Sequence, residues 1–359
     1  MQPIPQTIAD ILEHARWAPS GDNTQPWRFE VIDNHHLVVH AFDTRNHCVY
    51  DLDGHPSQIA LGALLETLAI AASAHGARAE FRRRPDSPDT RPDYLVDLIP
   101  DSALTPDPLL PYIRQRSVQR RPMRTTPLTP SQKQALQDAV GEAYTVRWFE
   151  GGARRWRLAR LMFENAKLRL TMPEAYAVHR DIIEWNARFS EDRVPDQALG
   201  LDAMTLKLMR WVMTSWQRVK FFNTWLAGHL TPRIEMDLLP GFFCAAHFAI
   251  QARNAPETLD DYVAAGRAVQ RFWLTATSLG LQLQPEMTPL IFNRYVRVGI
   301  EFSRMPGATE TAVRLGGRLA RILQEVPASQ VAFLGRIGSG KVPTSRSLRL
   351  PVERLTRIE

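Results

Sequence analysis

Cysteine is scarce in this chain: Cys48 and Cys244 are the only two among 359 residues. Two cysteines can form neither a disulfide framework nor a cysteine-based zinc site, so we expect both to be small buried hydrophobes. The histidines lack close metal-binding spacing. His36 and His40 would share one face of a strand, and a solvated strand face explains them better than a pair of ligands. The sequence therefore predicts no metal site.

Long hydrophobic runs are also missing. The most apolar stretch, residues 211–226, is interrupted by Arg218 and Lys220, which makes it too short and too charged to span a bilayer. The first residues, MQPIPQ, have neither the basic start nor the apolar core of a secretory signal. We therefore expect a cytoplasmic protein with no membrane partner.

The motifs of nucleic-acid-binding proteins are absent, although the net charge is +6 and the isoelectric point is near 9.6. No helix-turn-helix, RNP-like or zinc-finger pattern occurs, and the basic residues are mostly scattered. We expect no nucleic-acid partner. Residues 335–341 match the phosphate-binding pattern G-x-x-x-x-G-K, but Val342 replaces the magnesium-binding hydroxyl and Pro343 prevents the required helix. An ATP site is not expected there.

Apolar periodicity predicts a mixture of helices and strands, with an element pattern that restarts after a proline-rich linker at residues 106–111. Thr129-Pro130-Ser131-Gln132 is a capping box that opens a helix, and a strand follows, as in the first part of the chain. The predicted elements are helices at 7–17, 56–75, 129–141, 258–279 and 310–324, and strands at 27–33, 37–42, 78–84, 94–99, 144–149, 242–250, 295–302 and 330–334.

A segment at about 154–240 interrupts this pattern and is rich in Trp, Met, Phe and Arg. Its apolar side chains could form ordinary helical core, or they could form a lid over a binding site. The residues in question are Trp211, Met213, Trp216, Phe221, Phe222 and Trp225.

Two polar segments are candidates for ligand binding. In the first, small polar residues lie between Pro19 and Pro26, so backbone N–H groups, a hydroxyl and amides could read the edge of a planar polar ring; an ordinary turn is the alternative. The second is a cluster of arginines, which could bind a phosphate bidentately or form a solvated basic loop. The cluster consists of Arg114, Arg116, Arg120 and Arg121.

Residues 18–27 resemble the A-P-S-x-x-N-x-Q-P-W signature of the FMN-dependent nitroreductase superfamily. Residues 116–122 resemble its R-x-S/T-x-R phosphate motif, in the R-R-T-D-R-R-P form of the tandem two-half, Acg-like subfamily. Val118 stands where a hydroxyl is usual. Residues 279–287 resemble the segment against the flavin, and residues 346–351 resemble the terminal basic segment, with Ser347 in place of a common lysine.

The resemblance implies a set of FMN-binding residues, with no separate catalytic residue. They are Pro19, Ser20, Gly21, Asn23, Gln25, Arg116, Ser117, Arg120, Gln284, Pro285, Glu286, Arg346 and Arg349.

The fold implied is α+β and nitroreductase-like, with a first half at 1–105 and a second at 106–359 fused as a pseudo-dimer. The motifs occur in the reverse of the family order and each half lacks what the other supplies, so we expect one complete site. The implied function is an FMN oxidoreductase that uses NAD(P)H to reduce an electron-poor small molecule, of the nitro or quinone class, by a ping-pong mechanism. A flavin-storage protein and an accessory protein in cofactor biosynthesis are alternatives, and the chain could be a monomer or a homodimer.

Overall fold

Two four-stranded antiparallel sheets organise the computed structural model, which describes residues 4–324 and 326–356. The first sheet comes from the first hundred residues. Its elements are helix α1 (Gln6–Ala15), strands β1 (Trp27–Val31) and β2 (His36–Ala41), helix α2 (His55–Ser73), and strands β3 (Ala77–Arg83) and β4 (Asp93–Pro100). Trp27 and Phe29 alternate inward from β1 onto the core beneath α1 and α2. The predicted α+β class is confirmed.

The rest of the chain forms the second sheet and most of the helices. Its elements are α3 (Pro130–Ala139), β5 (Tyr144–Phe149), α4 (Gly152–Thr171), α5 (Pro173–Ile182), β6 (Ile183–Glu184), β7 (Phe189–Ser190), β8 (Val194–Pro195), α6 (Ala203–Val212), α7 (Trp216–Trp225), α8 (Leu230–Arg233), α9 (Leu239–Phe242), β9 (Ala246–Ala252), α10 (Leu259–Ser278), β10 (Leu281–Pro285), α11 (Thr288–Val298), α12 (Ala308–Leu323), β11 (Val331–Ser339), β12 (Arg346–Ser347) and α13 (Val352–Leu355). The capping box of Thr129 opens α3 as predicted.

The two sheets have the same strand order. The first runs β1-β2-β4-β3 and the second runs β5-β9-β11-β10. A short helix precedes each set, α1 or α3, and a long helix, α2 or α10, lies between its second and third strands. The order of elements along the chain is therefore repeated.

Two interruptions distinguish the second set from the first. Helices α4–α9 lie between β5 and β9, and α11 and α12 lie between β10 and β11. The predicted strand at 295–302 falls in the second interruption and is wrong: Pro289 lies in the first turn of α11, and Gly299, with φ 73°, ends the helix. Alternating Val296, Val298 and Ile300 favoured a strand, but the caps and the burial of Phe292 and Tyr295 three residues apart stabilise a helix.

Helices α2 and α10 pack closely at two glycines. A Cβ at Gly62 would lie 1.9 Å from the Val263 carbonyl oxygen, and a Cβ at Gly266 would lie 2.1 Å from that of Ile59. Gly62 therefore faces the residue three positions before Gly266, and Gly266 faces the residue three positions before Gly62. This contact is reciprocal, as it is across a two-fold axis.

Polar pairs continue this reciprocity one turn further along. Arg271 donates to Glu66 at 2.9 Å, and Gln270 donates to the Thr67 hydroxyl at 2.9 Å. Glu66 and Gln270 each lie four residues after a glycine of the contact. Their partners, Arg271 and Thr67, each lie five residues after one.

Helix α2 is the one described helix long and apolar enough to cross a membrane, and 83% of that stretch is buried inside the protein. It is the central helix of the first core. Cys48 and Cys244 are free and buried, as predicted. Gly335–Ser339 lie in β11, which confirms that the G-x-x-x-x-G-K pattern is not a phosphate loop.

The C-terminal segment crosses back to the first sheet. Leu350, Val352 and Leu355 are buried in the core formed by α1, α2 and β1. Just before them, β12 pairs in parallel with β7. Residues from opposite ends of the chain therefore meet near the Pro19–Pro26 turn.

Candidate cofactor site

A cavity of about 900 Å³ lies where the two sheet units, the helical insertion and the C-terminal segment meet. Eleven of the thirteen predicted FMN-binding residues line it. They are Pro19, Ser20, Gly21, Asn23, Arg116, Ser117, Arg120, Gln284, Pro285, Arg346 and Arg349. The structure thus brings together four segments, the first and last of which are more than three hundred residues apart in sequence.

The Pro19–Pro26 turn forms one wall, in a strained conformation. Asp22, Asn23 and Gln25 all have positive φ, at 50°, 64° and 47°. Asn and Asp tolerate this region, whereas Gln seldom adopts it, and such backbone is concentrated at functional sites. The Ser20 hydroxyl accepts from the Gln25 N–H at 3.0 Å and fixes the turn.

Gln25 lies outside the cavity lining and is fully buried. Its amide nitrogen donates to the Glu191 carbonyl at 2.9 Å, and its amide oxygen accepts from the Leu350 N–H at 2.8 Å. The direct flavin contact of Gln25 stays a prediction. Gln25 ties the turn to the insertion and to the C-terminal segment.

Asn23 reaches both the insertion and the cavity. Its amide nitrogen donates to the Glu191 and Arg193 carbonyls, at 3.1 and 3.2 Å. Its Oδ1 is buried without a partner in the described part of the chain, and so is Oε1 of Gln284, which also lines the cavity. Buried acceptors without partners are costly, so both oxygens suit a ligand N–H.

Five arginines line the cavity. Arg169 pairs with Asp237, and the other four form no ion pair with a carboxylate within the described residues: Arg116, Arg120, Arg346 and Arg349. Arg116 is only 3% exposed, donates to the Trp17 carbonyl at 3.2 Å, and lies 4.5 Å above the Trp273 ring. The Nε atoms of Arg116 and Arg346 are buried and have no hydrogen-bond partner among residues 4–324 and 326–356.

Burial and mutual repulsion destabilise these charges. Burial lowers the pKa of Arg116, and the nearby charges of Arg349 and Arg346 lower it further. The pKa of Arg349 falls to about 9, through burial and then through Arg346 and Arg16. Burial lowers the pKa of Arg120 to about 10 although Asp22 opposes the shift. An anion in the cavity would reverse this cost.

Glu286 also lies outside the lining, although its neighbours Pro285 and Met287 belong to it. The buried Glu286 carboxylate accepts from His247 Nδ1 at 2.6 Å and from Arg336 at 2.9 Å. Arg336 in turn donates to the Arg120 carbonyl at 3.0 Å. Glu286 therefore supports, through Arg336, the segment that carries Arg120, and its flavin contact stays a prediction.

Sequence reasoning missed a polar group opposite the arginines. The Tyr50 hydroxyl and His179 Nε2 are 3.0 Å apart, and both residues line the cavity, as does Arg169. Burial, reinforced by Arg169, lowers the pKa of His179 to about 3, which favours the neutral imidazole. Tyr50 and His179 are 129 residues apart and carry no local motif, so no sequence signal pairs them.

The insertion supplies much of the remaining wall. Met213, Phe222 and Asn223 line the cavity, while Trp211 and Trp225 are 51% and 75% exposed. The helical-core alternative is wrong for these two tryptophans, because their rings are too exposed to form a core. The insertion thus forms part of the cavity wall, and its role as a lid stays a prediction.

Comparisons with known proteins give one family. The model of the Nitroreductase family matches residues 2–60, which include the Pro19–Pro26 turn. The predicted resemblance is supported over that range. No curated protein matches this chain.

Three solved structures are similar at low levels. A nitroreductase-like protein from Bacillus cereus is 12% identical, covers 70% of this chain and 96% of its own, and has a TM-score of 0.34. A nitroreductase with bound FMN from Bacteroides fragilis is 13% identical, with coverages of 66% and 89% and a TM-score of 0.30. The FMN-dependent nitroreductase NfnB from Mycobacterium smegmatis, in complex with NADPH, is 14% identical, with coverages of 69% and 96% and a TM-score of 0.37.

Proposed function

We propose that this chain is an FMN-binding oxidoreductase that takes electrons from NAD(P)H and passes them, in ping-pong order, to an electron-poor small molecule such as a nitro compound or a quinone. One observation carries the proposal: four arginines without carboxylate partners in the described chain line the same cavity as the family-matched turn. A planar ring that ends in a phosphate satisfies both features.

The polar groups fit FMN in kind. A phosphate monoester carries about two negative charges and three strong acceptors, which suits guanidinium groups that lack a counter-ion. Arg116 and Arg120 would hold it, and Arg346 and Arg349 would add positive charge. The unpartnered oxygens of Asn23 and Gln284 would accept hydrogen bonds from the donors of FMN, which are the ring N–H and the ribityl hydroxyls.

The flavin would supply the hydride and electron chemistry when bound, while the protein positions it and controls access. Neutral His179 and Tyr50 offer the acceptor a hydrogen-bonding pair that carries no net charge. The apolar insertion wall excludes water from the reacting groups. These residues therefore favour an uncharged, largely apolar acceptor.

We infer further that the two halves form a fused pseudo-dimer with a single site. The repeated strand order and the reciprocal Gly62–Gly266 contact support this arrangement. The turn comes from the first half, and the arginine segment from the second. The equivalent of the Pro19–Pro26 turn before β5 has no comparable sequence, so a second site lacks its ring-edge contacts.

Flavin storage remains a second candidate, and the covered cavity favours it. Anaerobic addition of NADPH to the flavin-loaded protein separates the two functions. An oxidoreductase loses its flavin absorbance near-stoichiometrically and recovers it when a quinone is added. A storage protein keeps an oxidised spectrum under the same conditions, which would contradict the proposal.

A further inference from the structure

The insertion exposes a large apolar surface, here called the α6–α7 surface. Met204, Leu208 and Trp211 follow each other at helical spacing on α6 and are 82%, 50% and 51% exposed. On and beyond α7, Phe221, Trp225, Leu226 and Leu230 are 55%, 75%, 59% and 41% exposed. A contiguous exposed set of this kind marks an interaction surface.

The aromatic rings in this surface contact one another. Trp211 packs edge-on against Phe222 at a centroid distance of 5.7 Å, and Phe222 packs against Phe221 at 6.0 Å. The Arg218 guanidinium lies 4.6 Å above the Trp211 ring. The rings and the cation therefore form one continuous surface on two helices.

The charge of the same segment has one sign. Residues 203–234 contain no Asp or Glu and five basic residues: Lys207, Arg210, Arg218, Lys220 and Arg233. The first four are exposed, and within the described chain none of those four forms an ion pair with a carboxylate. Exposed tryptophan and phenylalanine among lysines and arginines, with no acid, are typical of helices that lie in a membrane interface.

We propose that the α6–α7 surface docks on an anionic phospholipid bilayer. The aromatic and aliphatic side chains would enter the interfacial region, and the lysines and arginines would contact the headgroups. This proposal departs from the expected lack of a membrane partner, which rested on the absence of a spanning segment. Interfacial docking requires no such segment.

A second copy of the chain is a poorer occupant. A two-fold interface places the same patch against itself, so four exposed cations would face four others with no acid to neutralise them. Lysine is also depleted in protein interfaces. The surface is therefore complementary to a lipid headgroup layer rather than to itself.

The surface adjoins the cavity. Met204, Leu208 and Leu226 are at least half exposed and also line the cavity. A docked protein would place this part of the cavity wall at the bilayer. An acceptor dissolved in the lipid could then reach the site without crossing water. This consequence rests on the proposed function, whereas the docking itself does not.

Vesicle flotation with purified protein tests the docking without any turnover. The probes are vesicles of phosphatidylcholine alone and of phosphatidylcholine mixed with phosphatidylglycerol. We expect flotation with the anionic vesicles only, and its loss at high salt. Each of Arg210→Glu and Lys220→Glu should lower the partition coefficient by about fivefold or more.

Matched variants keep the test specific. Trp225→Ser should lower binding, whereas Trp156→Ser, at a 45% exposed tryptophan outside this segment, and Arg91→Glu, at an exposed arginine of the first half, should not. Absence of binding to both kinds of vesicle would overturn the proposal. So would equal losses in the control variants, or a dimer in solution that Trp225→Ser dissociates. Reduction of soluble quinone is measured separately, so failure of docking and failure of the oxidoreductase function are distinguishable.

Discussion

At the scale of single residues, the proposed FMN binding depends on the four cavity arginines that lack a carboxylate partner in the described chain. Arg116→Met should raise the dissociation constant for FMN by about 10- to 100-fold, because a hydrogen bond to a charged group contributes about 1.5–3 kcal/mol. Arg120→Ala should act similarly. Titration of the apoprotein with FMN, followed by fluorescence quenching, measures both.

The exposed Arg114, two residues away, is the matched control, and Arg114→Ala should bind FMN normally. The apoprotein of Arg116→Met should melt at the same temperature as the unsubstituted protein or a higher one, because methionine packs on Trp273 without a buried charge. Equal affinity losses at Arg114 and Arg116 would show that general basicity binds the ligand.

The His247–Glu286 pair predicts a pH dependence of stability. Both ring nitrogens of His247 face acceptors, Glu286 at 2.6 Å and the Gly241 carbonyl at 2.7 Å, so the imidazole is doubly protonated. Burial alone would lower its pKa, but the Glu286 charge raises it to about 10. A raised pKa stabilises the fold below the unfolded value of 6.5, and this contribution is lost as the pH rises through 10.

The free energy of unfolding in urea should therefore fall between about pH 6.5 and pH 10. His247→Gln, which cannot be charged, should flatten this part of the profile and lower stability at pH 6.5. Parallel profiles for the two proteins would mean that His247 is neutral in the folded state.

At the scale of elements, we expect the insertion to control access to the cavity. The Asp202 N–H donates to the Glu235 side chain at 2.9 Å, so the two ends of this helical segment lie together. Residues 204–229 can then be replaced by a short Gly-Ser linker. Arg233, which donates to the Phe163 carbonyl at 2.8 Å, is retained to hold the remaining helix.

This variant should keep FMN bound, because the turn and the arginines lie elsewhere, and should reduce bulky quinones faster with NADPH. Flavin content and quinone reduction are compared before and after replacement. A flavin-free or insoluble product would show that the segment is part of the core rather than a cover.

Local signals in the sequence predicted most elements but not their partners. The caps at Thr129 and the periodicity of α2 and α10 are local, and these helices were predicted. The four family-like segments likewise located eleven lining residues. Gln25 and Glu286 were assigned to the flavin from their positions in the motifs, which do not show the direction of a side chain. In the structure, each side chain is hydrogen-bonded to a distant segment.

At the scale of the whole molecule, the α2–α10 contact holds the two halves together. Gly62→Ala and Gly266→Ala should each lower the free energy of unfolding by more than about 2 kcal/mol, because either methyl would meet backbone and force the helices apart. Gly317→Ala, in α12 with open space around it, should be neutral or stabilising by up to about 1 kcal/mol. Urea unfolding measures all three.

The two α2–α10 substitutions should have similar effects, since each occupies the other's equivalent position. A large loss at one glycine and none at the other would contradict the reciprocal contact. The sequence predicted the repeat of elements but not the strand order of the second set, because that set is interrupted by α4–α9 and by α11 and α12, which separate its paired strands in sequence.

We propose that two complementary halves build one flavin site. The amount and identity of the bound flavin test this arrangement most directly. Acid release from protein reconstituted with excess flavin, followed by chromatographic quantification, should yield about one FMN per chain. A ratio near two would contradict the single-site arrangement. Absence of flavin, or FAD in place of FMN, would contradict the assignment of the unpaired arginines to a terminal phosphate.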